Sequence, residues 1–176
     1  MRKDYFKKIF SDKNFINLVE DILIHSEFEG MKYYKQHIYS LYHHSLGVSY
    51  RSYKMCMFFG FNQKNLKRAV RGALLHDFYL YDWRNYEKAN IKYLRKSHAI
   101  VHPKIAADNA NEIFGVDKIE RDIIAKHMWP IVFGLPKYRI SWIVTIADKI
   151  ETTYEYFYYF KNKKLINPNN YEYGDI

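Results

Sequence analysis

One cysteine, four prolines and seven glycines are all that these 176 residues hold of those three types. The lone Cys56 excludes an internal disulfide framework and a cysteine-rich zinc module, and it fits a reducing compartment, by default the cytoplasm. The scarcity of Gly and Pro, with no alternating apolar segments bounded by turn residues, argues against a β-sheet protein. No run reaches the ~18 uninterrupted apolar residues of a membrane span, and the opening "MRKDYFKKIF" lacks the apolar stretch of a secretory signal. A chain of this length is expected to form one unit over 1–176 and to bury roughly 70% of the surface that its unfolded form exposes.

Acidic residues are also in short supply: 28 Lys and Arg face 19 Asp and Glu, a formal net charge of +9. That balance favours an anionic partner. The lysines are spread along the chain, with clusters only at "RK", "KK" and "KNKK", so a small anion is expected, nucleic acid is disfavoured and a membrane is not a partner. The basic N-terminus reads as a solvated or frayed helix start.

What is present is helical periodicity. A helix is predicted over about 12–29, with Asp12 as N-cap, Phe15, Ile16, Val19, Ile22 and Leu23 inward, and Gly30 as its stop. Others follow over about 39–59, closed by Gly60, and 63–77. An irregular aromatic segment comes next. Pro103 reads as the first-turn proline of a helix ending at Gly115, and "DKIERDIIAKHM" as a short helix. The last long helix starts near 137–141; its first half is apolar nearly all round, which marks it as the central helix. The polar stretch over about 162–176 reads as a loosely packed tail. The expected fold class is all-α, a helical bundle.

Six chemistry-bearing residues interrupt the apolar faces of these helices: His44, His76, Asp77, His102, His127 and Asp148. One histidine on an apolar face is more often a hydrogen-bonded core residue than a ligand, and Asp148 alone would suit an ion pair with Lys149 or Arg68. Four imidazoles and two carboxylates converging in a bundle describe a divalent transition-metal site with mixed N and O donors.

The order His44, then His76-Asp77, then Asp148, with the flanks "HSLGVS", "ALLHD" and "IVTIADKIE", resembles the HD-domain metal-dependent phosphohydrolases over about 34–158. The resemblance implies an HD-domain helical bundle with those four residues holding a metal ion. The "HP" opening at His102 and the later His127 resemble the bimetallic branch, which includes cyclic-dinucleotide phosphodiesterases and symmetrical diadenosine-tetraphosphate hydrolases. By that resemblance His102 and His127 bind a second ion and Asp77 bridges the two. Leu80 stands where those phosphodiesterases carry a lysine, and the "GYP" motif is absent. The segments "HDFYLYDW", "HPKIAADNA" and "HMWP" are similar instead to small stand-alone bacterial HD proteins.

The chemistry such a set serves is hydrolysis of a phosphate ester, in which a divalent ion lowers the pKa of bound water toward ~7 and neutralises phosphate oxygens. Iron or manganese is the first expectation, with cobalt, nickel, magnesium and zinc as alternatives. Asp77, Lys104 and His98 are the candidate catalytic residues; Lys104, Lys149, Arg84, His37 and Trp129 are the candidate substrate contacts. The expected partner is a small phosphorylated substrate, a nucleotide first, and a homodimer is allowed. Three rivals stay open: a single-ion nucleotidase, a non-catalytic nucleotide-binding regulatory module, and a basic nucleic-acid-binding protein whose binding would collapse with salt.

Overall fold

Side-chain caps set where most of the helices begin in the computed structural model, which describes residues 2–35, 39–90 and 97–162. Helix α1 spans Arg2–Ser11, and α2, Lys13–Leu23, starts where the Asp12 carboxylate accepts the Phe15 N–H at 3.2 Å. A short α3, Ser26–Gly30, runs into a 3-10 turn, Met31–Tyr33. Ser40 caps α4, Leu41–Phe58, and Asn62 caps α5, Gln63–Leu74. Next come α6, Trp83–Asn90, and α7, His98–Phe114. Asp117 and Glu120 form a reciprocal capping box on α8, Lys118–Lys126, and α9 is Arg139–Asn162. Among the described residues there is no strand; the only pairing of that kind is an isolated bridge, Lys35 to Ser40. The fold is all-α.

Several boundaries differ from the sequence reading for local reasons. The helix expected over 12–29 breaks after Leu23, because His25 Nδ1 accepts the Glu27 N–H and starts α3. His25 itself is half-buried against Phe114, and Gly30 lies inside α3 rather than stopping α2. Residues 76 and 77 fall in a turn beyond α5, whose last residue is Leu74. The aromatic segment contains α6. Helix α7 begins at His98, so Pro103 lies past its first turn and withholds the N–H that the Ala99 carbonyl would otherwise receive. Its left-handed stop at Gly115, φ +62°, is where glycine is expected. Of the two readings of the basic N-terminus, the solvated helix start holds: Lys3, Lys7 and Lys8 of α1 are exposed while Phe6 and Ile9 are buried.

The central helix is α4, not α9. Buried residues run all round α4, from Leu41 and His44 through Ser45, Gly47, Ser49 and Ser52 to Cys56. Small side chains let its neighbours approach on every side, and it packs on α5 and α9 while α5 packs on α8. A methyl group on Gly47 would stand 2.6 Å from Glu151 Oε1 of α9. Helix α9 turns Ile146, Ile150, Phe157 and Phe160 to solvent. Phe58, Phe59 and Phe133 are exposed as well, whereas Phe15, Phe28, Phe78 and Tyr79 fill the core around α4 and α5.

Candidate metal centre

Five elements deliver the six singled-out residues to one place. His44 comes from α4, His76 and Asp77 from the turn after α5, His102 from α7, His127 from the C-terminal cap of α8, and Asp148 from α9. All six are at most 5% exposed. The turn is fixed by Asn109, which donates to the Phe78 carbonyl at 3.0 Å, and by Leu80 at φ +42°, an uncommon conformation for a bulky side chain.

The two oxygens of Asp77 face different partners. Oδ2 lies 3.3 Å from His76 Nε2 and 4.0 Å from His44 Nε2. Oδ1 lies 3.2 Å from His102 Nε2 and 3.5 Å from His127 Nε2. Asp148 Oδ1 closes the first group, 3.3 Å from His44 Nε2 and 3.9 Å from His76 Nε2. Donors about 2.1 Å from one ion stand about 3.0 Å apart at right angles, or about 3.4 Å in a tetrahedron, so these spacings suit shared ions.

The protons agree with that reading. Backbone carbonyls accept from the Nδ1 of three rings: Ala73 O from His76 at 2.7 Å, His98 O from His102 at 2.8 Å, and Ile124 O from His127 at 2.8 Å. A carbonyl only accepts, so in each neutral ring the proton is on Nδ1 and the Nε2 lone pair is turned to the carboxylates. His102 Nε2 and His127 Nε2 then face each other at 3.1 Å, lone pair to lone pair, a contact that a cation relieves. Buried His44 Nε2 and His76 Nε2 make no hydrogen bond. A donor set of this kind fits divalent cations.

The electrostatics are those of a site that wants positive charge. Burial would raise Asp77 and Asp148, yet positive charge next to them, carried by protonated imidazoles where no cation is bound and by Lys149 for Asp148, holds both carboxyls well below their usual range. Burial would lower His44, but the negative charges of Glu155 and Asp148 on its two sides hold it well above its ordinary value. Burial pushes His127 down to about 3, with His76 adding to the effect. It therefore stays neutral.

A model of the HD domain matches residues 41–153, which is most of the chain and includes all six residues. The chain belongs to the HD-domain family. HD domains are generally metal-dependent phosphohydrolases, and the histidine and aspartate groups of this HD chain are able to hold a metal. No curated protein and no solved structure matches it. No helix among the described residues is long and apolar enough to cross a membrane.

The remaining expected site residues are scattered differently in this HD chain. His98 stacks on His102 with ring centroids 4.6 Å apart, and its Nδ1 is 3.0 Å from the Tyr81 hydroxyl. Lys149 donates to Asp148 Oδ2 at 2.7 Å and to the His127 carbonyl at 3.2 Å, with its side chain 45% exposed. Arg84 lies over Trp83, whose ring stacks on His98 at 5.8 Å. Trp129 is half-buried, edge-on to Trp142. Lys104 is not brought to the cluster: it is 80% exposed and bound to Asp108, because the helix that Pro103 was expected to open starts at His98, which leaves Lys104 in mid-helix on the outer face of α7. His37 lies outside the described residues. His43 points to Ser40 and Phe6, and Arg68 pairs with Asp117 rather than Asp148.

Two neighbours of the cluster were not anticipated. Glu155 Oε1 meets His44 Nδ1 at 3.3 Å, and the Thr152 hydroxyl donates to Asp148 Oδ1 at 3.3 Å. Both lie one or two turns beyond Asp148 on α9, the spacing that shares a helix face. That spacing was the available signal.

Proposed function

We propose that this protein hydrolyses a nucleotide or another small phosphate ester, using two divalent ions. The observation that carries the reading is the division of Asp77, with one oxygen toward His44 and His76 and the other toward His102 and His127. His44, His76, Asp77 and Asp148 would hold one ion, and Asp77, His102 and His127 the other. Divalent ions bound there supply Lewis acidity, lowering the pKa of a water and neutralising phosphate oxygens. Iron and manganese suit the mixed imidazole and carboxylate set best.

The chain's own groups supply the rest. The buried walls around Asp77 and the four imidazoles keep bulk solvent out, so that charges on a phosphate are felt strongly. Lys149, held at the rim by Asp148 and the His127 carbonyl, presents its ammonium to a phosphate oxygen. His98, stacked on His102, passes the proton lost by the attacking water to the leaving oxygen. Arg84 and Trp83 beside His98, and Trp129 beside His127, offer a cation and flat faces for the rest of the substrate. Lys104 has no part in this reading.

The test is anaerobic metal analysis of protein taken directly from cells, followed by a phosphate-release screen over nucleotides, dinucleotides and sugar phosphates. Two ions per chain with metal-dependent release are expected. Full activity with one ion would move the reading to a single-ion nucleotidase, and tight nucleotide binding without release, at full metal loading, to a regulatory module.

A further inference from the structure

The four histidines of the centre differ in what holds the ring nitrogen turned away from it. For His76, His102 and His127 it is a neutral backbone carbonyl three or four residues earlier in the chain. For His44 it is the carboxylate of Glu155, 111 residues away on α9. We propose that Glu155 is a positioning residue for metal binding, which sets the tautomer and ring plane of His44 and strengthens that ligand through a charge-assisted hydrogen bond. The proposal rests on the metal-centre reading above.

The physical reason lies in what the two kinds of acceptor can do. A carbonyl of the same helix or turn fixes a ring in place but adds no charge. A carboxylate fixes it and pushes electron density through the imidazole toward Nε2, which makes a stronger donor to a cation. Glu155 is fully buried, a costly placement for a carboxylate, and its Oε1 is turned to His44 Nδ1. One turn earlier on the same face, the equally buried Glu151 is engaged by Arg51 at 2.6 and 2.9 Å. Helix α9 thus provides both a ligand, Asp148, and the support for a ligand on α4. The half of the centre built on His44 therefore depends on a charge that the half built on His102 and His127 does not have.

The experiment uses the full chain stripped of metal and titrated calorimetrically with Mn2+ alone and with Co2+ alone, the cobalt form also read by visible absorption. The wild type is compared with E155Q, E155A and E151Q. Affinity should fall roughly 10-fold in E155Q and toward roughly 100-fold in E155A, with an altered cobalt spectrum, while E151Q binds as the wild type does. E155Q keeps the shape and one oxygen acceptor, so it carries the test if E155A fails to fold; its helicity and metal-free melting are measured alongside. Unchanged affinity in E155Q, or an equal loss in E151Q, overturns the proposal, the second by showing an effect of α4 and α9 packing alone. A wild-type protein that binds neither ion overturns the metal-centre reading itself.

Discussion

Replacing Gly47 by alanine tests the approach of α4 and α9 on which the centre depends. The added methyl would lie 2.6 Å from Glu151 Oε1, 2.9 Å from its Cδ and 3.3 Å from its Cγ. A long side chain can usually swing away from such a clash. Glu151 cannot do so cheaply, because it is fully buried and gripped by Arg51 through two hydrogen bonds. Overpacking costs about 1–3 kcal/mol, and disturbing a buried ion pair up to about 3–5 kcal/mol. Alanine returns about 1 kcal/mol of helix propensity. The net loss should be about 2–4 kcal/mol, or a fall in Tm of about 5–15 °C for a chain of this size. The assay is thermal and urea unfolding of the metal-free protein, with a double-mutant cycle against Glu151→Ala. In the cycle, G47A should cost far less once the Glu151 side chain is gone. Since His44 and Asp148 each lie three residues before the wedge, on α4 and α9, metal affinity should fall as well. A G47A protein that melts at or above the wild type, with unchanged metal affinity, would refute the reasoning.

Three further outcomes are expected. Asp77→Ala should lose metal and turnover together, whereas His43→Ala, whose ring faces Ser40 and Phe6, should lose neither; elemental analysis and phosphate release read both. Asp117→Ala should cost about 1 kcal/mol near neutral pH, because that carboxylate caps α8 and binds Arg68. Burial raises the Asp117 carboxyl, but the N–H of Glu120, Arg68 and the N–H of Ile119 outweigh it and lower it overall. Its contribution is therefore present above the unfolded value of about 3.9 and lost as pH falls through the lower folded value, so wild type and variant should converge in acid melts. Burial pushes the Cys56 thiol up to about 12, so a thiol reagent at pH 8 should label it only as fast as the protein opens; rapid labelling of the native form would contradict its burial.

The all-α class was legible because apolar residues recur at helical spacing and Gly and Pro are few. The cap Asp12 and the stop at Gly115 were legible too, since capping is a local matter of one side chain and the next few N–H groups. The break at His25 was not, since an imidazole acting as N-cap has no distinctive pattern. Nor was the choice of α4 over α9 as the central helix. Apolar content marks what a helix is able to bury, whereas Ser45, Gly47, Ser49 and Ser52 let neighbours close on α4 from every side.

By itself, then, the order of residues determined which side chains were chemically out of place on apolar helices, His44, His76, Asp77, His102, His127 and Asp148, and with which family they belong. The tertiary structure alone decided that each oxygen of Asp77 faces its own pair of rings, that Glu155 supports His44, and that Lys104 turns outward to Asp108. The reason is physical. Helix type and capping depend on neighbours within a few residues, but the direction of a side chain across a bundle depends on how helices far apart in the chain pack against one another.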